Sequence, residues 1–396
     1  MHPDSKAANV IPRMPKIYLD YQSATPLRPE VGEAMRPFCE ERFGNPASLH
    51  LYGLQARDAL KNAREQIARF INAPSPDEIV FTSDGTEAMN LAVKGVAWGN
   101  RRRGNHIVSS AIEHPGISRS LEFLESQGFE CTRVPVDHRG KISPAHIRAA
   151  ITDQTILVAT HLANHDLGTI QPVAQASEVT REAGVTFYVD AESAAGWKAI
   201  DLHTLGADLL SFSPHRFYGP KGVGVLWRSG RVALQPLIHG GEQEGGLRAG
   251  VENIAAIVGA GKAAELVNVD ESAIGERQRE LWSLVAQQIP QAYLNGPEPD
   301  AGQSRMVNTL NISFPGTEGE GVALAADMRG LVIASGPACR GKALRTSPTL
   351  KALGLDDELA RANVLLSLGT QTTSQEISAA AQLLAQVVER IRSLDA

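Results

Sequence analysis

Cysteine is scarce. Only Cys39, Cys131 and Cys339 occur in 396 residues, too few and too scattered for a disulfide scaffold or a cysteine-built zinc site. A reducing, cytoplasmic setting is the expectation. Charge of one sign is not in excess either: 38 Lys and Arg against 44 Asp and Glu leave a net charge of −6, with no global pull toward nucleic acid or an anionic membrane. No apolar run approaches the roughly 20 residues that span a bilayer. The first fifteen residues, with Asp4, Lys6 and Arg13, lack the apolar core of a signal peptide. Internal repeats and low-complexity stretches are missing too. The basic run Arg101-Arg102-Arg103 reads first as a solvated helix end, and only weakly as a contact for an acidic partner.

What remains is the composition of an ordinary globular protein, 43% hydrophobic and 21% charged. The length exceeds what one packed core of about 250–300 residues supports, so two domains are expected. A tail over 1–15 precedes a large domain over 16–265, and a smaller C-terminal domain over 266–396 carries Cys339.

Hydrophobic patterning supports this division. Helical spacing appears over Glu30–Phe43 and over Gly53–Ile71. From Glu78 onward, short apolar runs alternate with helical stretches: His106–Ser109, Gly128–Pro135, Thr155–Thr160, Thr186–Val189, Leu209–Phe212 and Gly224–Trp227. Apolar runs without alternation fit strands covered on both faces, hence a doubly wound, mostly parallel α/β sheet. Its ligands belong at the carboxyl ends of the strands. Beyond a glycine-rich loop near Gly240, a long helix is expected over Asn253–Gln288. An α+β region comes next, with strands at Thr309–Phe314 and Leu331–Ser335 and terminal helices at Asp356–Leu365 and Ser374–Leu394.

Five segments carry candidate chemistry, and two of them, Glu113-His114 and Val189-Asp190, lie where such a sheet opens its crevice. Ser83-Asp84-Gly85-Thr86 joins a strand to a helix, and its amides and hydroxyl suit a phosphate, although alone it reads as a helix cap. Glu113-His114 and Val189-Asp190 come just after strand ends. Ser211 to Gly222 holds His215, Arg216 and Lys221. Ser335-Gly336-Pro337-Ala338-Cys339 sits beside Arg340, Lys342 and Arg345, cations that favour a thiolate, which makes Cys339 more than a small buried residue. Cys39 and Cys131 lie in no motif and read as small packed residues.

In this order the segments resemble the NifS/IscS type of cysteine desulfurase, in the class V aminotransferase group of fold type I PLP enzymes. The resemblance runs from about Ile17 to the last helix. It rests on Tyr18-Leu19-Asp20-Tyr21, Phe43-Gly44-Asn45-Pro46-Ala47-Ser48, Gly85-Thr86-Glu87, Glu113-His114, Leu167-Gly168-Thr169-Ile170-Gln171-Pro172, Val189-Asp190-Ala191, Tyr218-Gly219-Pro220-Lys221-Gly222, Leu247-Arg248-Ala249-Gly250, Asn311-Ile312-Ser313-Phe314-Pro315-Gly316 and Ser335-Gly336. It implies that His114 stacks on the PLP ring, that Asp190 meets the pyridine nitrogen, and that Thr86, Ser213 and His215 hold the phosphate. It implies too that Cys339 receives sulfur as a persulfide, and that the protein is a homodimer.

Departures from the family pattern cluster at the cofactor. The lysine that forms the Schiff base is replaced by Arg216, whose guanidinium stays protonated. His165 stands for an asparagine near the phenolic oxygen, Ser193 for a glutamine, Val251 for a threonine that reaches the neighbouring subunit's phosphate, and Asp84 for a small residue. Leu365 stands for the arginine that clamps the substrate carboxylate. On these grounds no covalently bound cofactor is expected; the alternative is PLP held non-covalently between His114 and Asp190. Three readings are open. The first is a persulfide carrier or scaffold with a sulfur-donor or sulfur-acceptor protein as partner. The second is an enzyme with repurposed chemistry, in which Asp190, Glu192 and histidines including His161 lie near the inherited pocket, where Arg216 and the histidines bind an anion or, less readily, a metal. The third is a conventional desulfurase converting L-cysteine to L-alanine.

Overall fold

The structure, a computed structural model, describes residues 17–300, 302–336 and 346–394. The expected tail and Cys339 with its neighbouring cations lie outside the described residues. The strands are β1 (Ile17–Tyr18), β2 (Ile79–Thr82), β3 (His106–Ser110), β4 (Glu130–Val134), β5 (Thr155–His161), β6 (Thr186–Asp190), β7 (Leu209–Phe212), β8 (Gly224–Arg228), β9 (Tyr293–Asn295), β10 (Thr309–Ser313), β11 (Leu331–Val332) and β12 (Asn363–Ser367). The helices are α1 (Pro29–Glu40), α2 (Leu51–Phe70), α3 (Gly85–Gly99), α4 (Pro115–Ser126), α5 (Pro144–Ala150), α6 (Val173–Ala183), α7 (Leu202–Leu205), α8 (Ile254–Glu265), α9 (Glu271–Gln288), α10 (Gly319–Asp327), α11 (Pro348–Ala352), α12 (Asp357–Arg361) and α13 (Ser374–Arg392).

Seven strands form the main sheet in the order β2-β8-β7-β6-β5-β3-β4. Pairings from β7 to β4 are parallel, and β8 runs antiparallel to both of its neighbours. The apolar runs are explained by burial on both faces. Ile107, Leu157, Tyr188 and Leu209 point to one core, against Leu91, Val96, Ile117 and Leu121 of α3 and α4. Their neighbours Val108, Val158, Val189 and Leu210 point to the other, with Leu60, Ile67, Val173 and Ile257.

Toward the C-terminus, β12, β10 and β9 make a three-stranded antiparallel sheet packed by α9 and α13. α13 opens with a reciprocal cap between Thr373 and Glu376. β1 pairs in parallel with β11, tying the start of the described chain to its C-terminal part.

Three expectations need correction. The single helix over Asn253–Gln288 is two, α8 and α9. Asp270 turns the chain by accepting from the Ala273 amide at 3.0 Å, a new N-cap. The helix expected to run to Leu365 stops at Arg361, because Val364, Leu365 and Leu366 pair with β10 and are buried there; tertiary pairing overrides local spacing. Cys39 is exposed, near the end of α1, rather than packed inside, whereas Cys131 on β4 is half-buried and its thiol is pushed up to about 11 by burial.

Candidate active site

A cavity of about 220 Å³ opens at the carboxyl ends of the parallel strands. His114, His165, Thr86, His215 and Arg216 line it, together with Asp84, Glu192 and Leu365. Asp190 and Ser213 are buried next to these wall residues in sequence, and Ser193 is buried in the loop after β6, outside the cavity wall.

His114 caps α4. Its Nδ1 accepts the Gly116 amide at 3.0 Å, which requires an unprotonated nitrogen. Burial, then the Arg216 guanidinium, push this imidazole down to about 4, against the pull of Glu192. The His165 ring meets it edge-on, with centroids 5.1 Å apart. The loop carrying His165 is fixed from two sides. Asn164 Oδ1 accepts the amides of Asp166 and Leu167, and the flanking Asp166 accepts from Asn311 Nδ2 at 2.8 Å and from the Ser347 hydroxyl. Behind the loop, the fully buried Arg305 donates to the carbonyls of Leu167 and Asn295.

Asp190 ends β6, and its Oδ1 accepts the Glu192 amide at 2.9 Å. Burial, then the Glu192 carboxylate, raise this acid to about 7. Glu113 and His161 stand close by, with His161 Nδ1 at 3.0 Å from Glu113 Oε1.

Arg216 ends the short turn Pro214–Arg216. The N-terminal segment holds that turn: the His215 carbonyl accepts from the Thr25 amide and hydroxyl at 3.0 and 2.9 Å, and Thr25 Oγ1 accepts the Tyr218 amide at 2.6 Å. Tyr218 leaves the turn at φ 67°, a conformation costing about 1–3 kcal/mol for a side chain of this size. Thr370 holds it there, donating to the Tyr218 hydroxyl from both its amide and its own hydroxyl. Arg216 Nε reaches Glu192 Oε1 at 3.2 Å, and His215 Nε2 lies 3.8 Å from the same oxygen. Burial lowers His215 as well, opposed by the Glu192 carboxylate and reinforced by the Arg216 guanidinium.

The Ser83–Thr86 turn caps α3 as its spacing suggested: Asp84 Oδ1 accepts the Glu87 amide at 2.7 Å. Gln22, Ser23 and Met89 also line the cavity, and sequence reasoning missed them. Gln22 and Ser23 come directly after the Tyr18–Tyr21 segment, so that segment carried the available signal. Leu365 enters the wall from β12 and presents no charge there, as its sequence implied. Val251 is exposed. Among the described residues, no group of three or more His, Cys, Asp or Glu side chains could hold a metal ion, and no helix is long and apolar enough to cross a membrane.

A strand-end pocket in a doubly wound sheet, beside a smaller antiparallel sheet, is the architecture of fold type I PLP enzymes, and similarity to known proteins agrees. Residues 17–380 match the Aminotransferase class-V family. The cysteine desulfurase IscS of Dictyoglomus turgidum is 42% identical over 383 residues, covering 96% of each chain. A solved NifS-like protein superposes with a TM-score of 0.86 at 32% identity, over 95% of this chain and all of that one. SspA in complex with cysteine superposes with a TM-score of 0.79 at 34% identity, over 90% of this chain and 99% of the other. The chain belongs to the class V aminotransferase family, among proteins similar to cysteine desulfurases. This membership corrects the expectation of no covalently bound cofactor: the relatives are PLP enzymes, and PLP is the cofactor expected here.

Proposed function

We propose that this protein transfers sulfur from cysteine, as a PLP-binding protein of the cysteine desulfurase type. The observation that carries the reading is the strand-end pocket, which gathers His114, His165, His215, Arg216 and Thr86 in a chain 42% identical to a cysteine desulfurase over almost its whole length. The residues fit PLP. Ser213 Oγ is buried with no hydrogen-bond partner among the described residues, beside the start of α3, where a phosphate would accept from it. Thr86 and His215 complete that end. His114 would lie against the ring, Asp190 would meet the pyridine nitrogen and His165 would stand near the phenolic oxygen, with Ser193 buried behind the wall. Once bound, PLP supplies the electron sink for cleaving bonds of an amino acid.

The chain's own residues then govern the transfer. Cys339 attacks the sulfur of cysteine, its thiolate taking that atom as a persulfide while the remaining three-carbon amino acid takes up a proton and leaves as alanine. Arg216 neutralises and orients; a guanidinium does not take up a proton near neutral pH. Leu365 offers no carboxylate clamp. These two residues favour a second reading for part of the activity, in which Cys339 accepts its persulfide from a donor protein and passes it to an acceptor. A homodimer is part of the proposal, supported by Phe43, Leu49, Leu51 and Val251, large apolar side chains that the single chain leaves exposed.

The deciding measurement is sulfide and alanine release from L-cysteine by the PLP-loaded protein, with and without R216K. A lysine amine restores a proton shuttle, worth about 10²-fold or more in rate. Equal rates for R216K and the native chain would reject the role given to Arg216. Persulfide on Cys339 without alanine would select the carrier reading, and neither product would reject sulfur transfer altogether.

A further inference from the structure

Glu192 is a pocket carboxylate that the proposed transfer does not use. It lies two residues past Asp190, just beyond the end of β6, and is 4% exposed. Oε1 is taken by Arg216, while Oε2 is buried with no hydrogen-bond partner among the described residues. Ser213 Oγ is in the same position. Both atoms aim at one spot: a Cβ added at Gly85, the first residue of α3, would collide with Glu192 Oε2 and Ser213 Oγ. α3 runs for 15 residues, and its first amides carry the positive end of the helix. A negative oxygen therefore already sits at the start of α3, with an arginine and a histidine behind it.

We propose that Glu192 is a built-in competitor for the phosphate of PLP, a carboxylate that occupies the anion cup of Gly85, Ser213 and His215 and has to leave before a phosphate enters. This rests on the reading of the pocket as a PLP site. Two anions sharing one cup of low polarisability repel strongly, so the cup holds one or the other. Among the described residues, the Glu192 carboxylate is held there by the side chains of Arg216 and His215, so it can swing out by a change of rotamer and leave Arg216 in place. Arg216 is then free to face the incoming phosphate. The native chain thus discriminates against the phosphate end of its ligand and not against the pyridine ring. Glu192 is on this view a specificity-determining residue.

The test is calorimetric titration of the cofactor-free full-length protein, and of E192Q and E192A, with PLP, pyridoxal and inorganic phosphate. Glutamine keeps the shape and removes the charge. Both variants are expected to bind PLP and inorganic phosphate about tenfold or more tightly than the native chain, with pyridoxal changed less than about twofold. PLP affinity that is unchanged or weaker in both variants overturns the proposal. So does pyridoxal gaining as much as PLP, or the absence of any PLP or phosphate binding in all three proteins. Tighter inorganic phosphate without PLP binding would keep the competition and reject the PLP site. Failure of sulfur transfer would show separately, as missing sulfide and persulfide in a protein whose phosphate affinity still responds to Glu192.

Discussion

The two ends of the pocket are built differently. At one end, side chains are fixed by main-chain groups: His114 by the Gly116 amide, Asp190 by the Glu192 amide, Asn164 by two amides. At the other end, among the described residues, the Glu192, Arg216 and His215 side chains are held by one another, with Glu192 Oε2 and Ser213 Oγ unsatisfied. Main-chain partners are part of the fold and do not move without unfolding a turn. Side-chain partners exchange at the cost of a rotamer. The first end is preorganised to receive a ring, and the second can rearrange when a charge arrives.

The largest effect expected on the main-chain-fixed end is a pH dependence. Asp190 sits near 7 instead of its usual 3.8, through burial and the Glu192 and Glu113 carboxylates, opposed by His161. The folded chain therefore keeps this proton longer than the unfolded chain, and stability is lost as pH rises from about 4 to about 7. D190N has no such loss and keeps an oxygen for the Glu192 amide. Its advantage over the native chain in urea unfolding is expected to grow across that window, by about 4 kcal/mol at most. A constant difference between pH 4 and pH 8 would place the titration elsewhere.

A smaller effect is expected at His114, whose folded-state value lies below its usual 6.5, so its contribution fades as pH falls from 6.5 toward about 4. At neutral pH, H114A removes a helix cap and a buried ring, and is expected to cost about 2 kcal/mol. H114N, which can still cap α4, is expected to recover part of it. Equal losses for both would show that the ring, and not the cap, fixes this end.

The smallest effect is at Asp84. Asparagine caps nearly as well as aspartate, so D84N is expected within about 0.5 kcal/mol of the native chain, and D84A about 1 kcal/mol below it. Chemical denaturation resolves the pair. A full kcal/mol lost in D84N would mean that the carboxylate charge, and not its oxygen, holds the start of α3.

The main-chain-fixed end was also the more legible in sequence. Apolar runs placed β3, β5, β6 and β7, and with them the strand-end positions of His114 and Asp190, because a strand buried on both faces leaves a pattern in its own residues. The Asp84 cap was read from spacing alone. Glu192 could be placed near the pocket, but its partnership with Gly85 and Ser213 could not, since these residues meet only through the order in which strands are laid side by side. The same limit explains β12: nothing in Asn363–Ser367 announces its neighbour β10. Arg216 was conspicuous as a substitution, yet its ion pair needed coordinates.

The Thr25 contacts to the Arg216 turn, together with the bonds between Ser367 and both Leu19 and Gln22, have a consequence in time. The pocket wall takes residues from Gln22 at one extreme to Leu365 at the other. During synthesis, at about 5–20 residues per second, the main sheet can assemble well before β12 has left the ribosome. The wall cannot. Loading of a ligand is therefore a late event in the life of this chain, and a nascent or truncated form that lacks β12 already has its sheet while the receptacle stays open on one side.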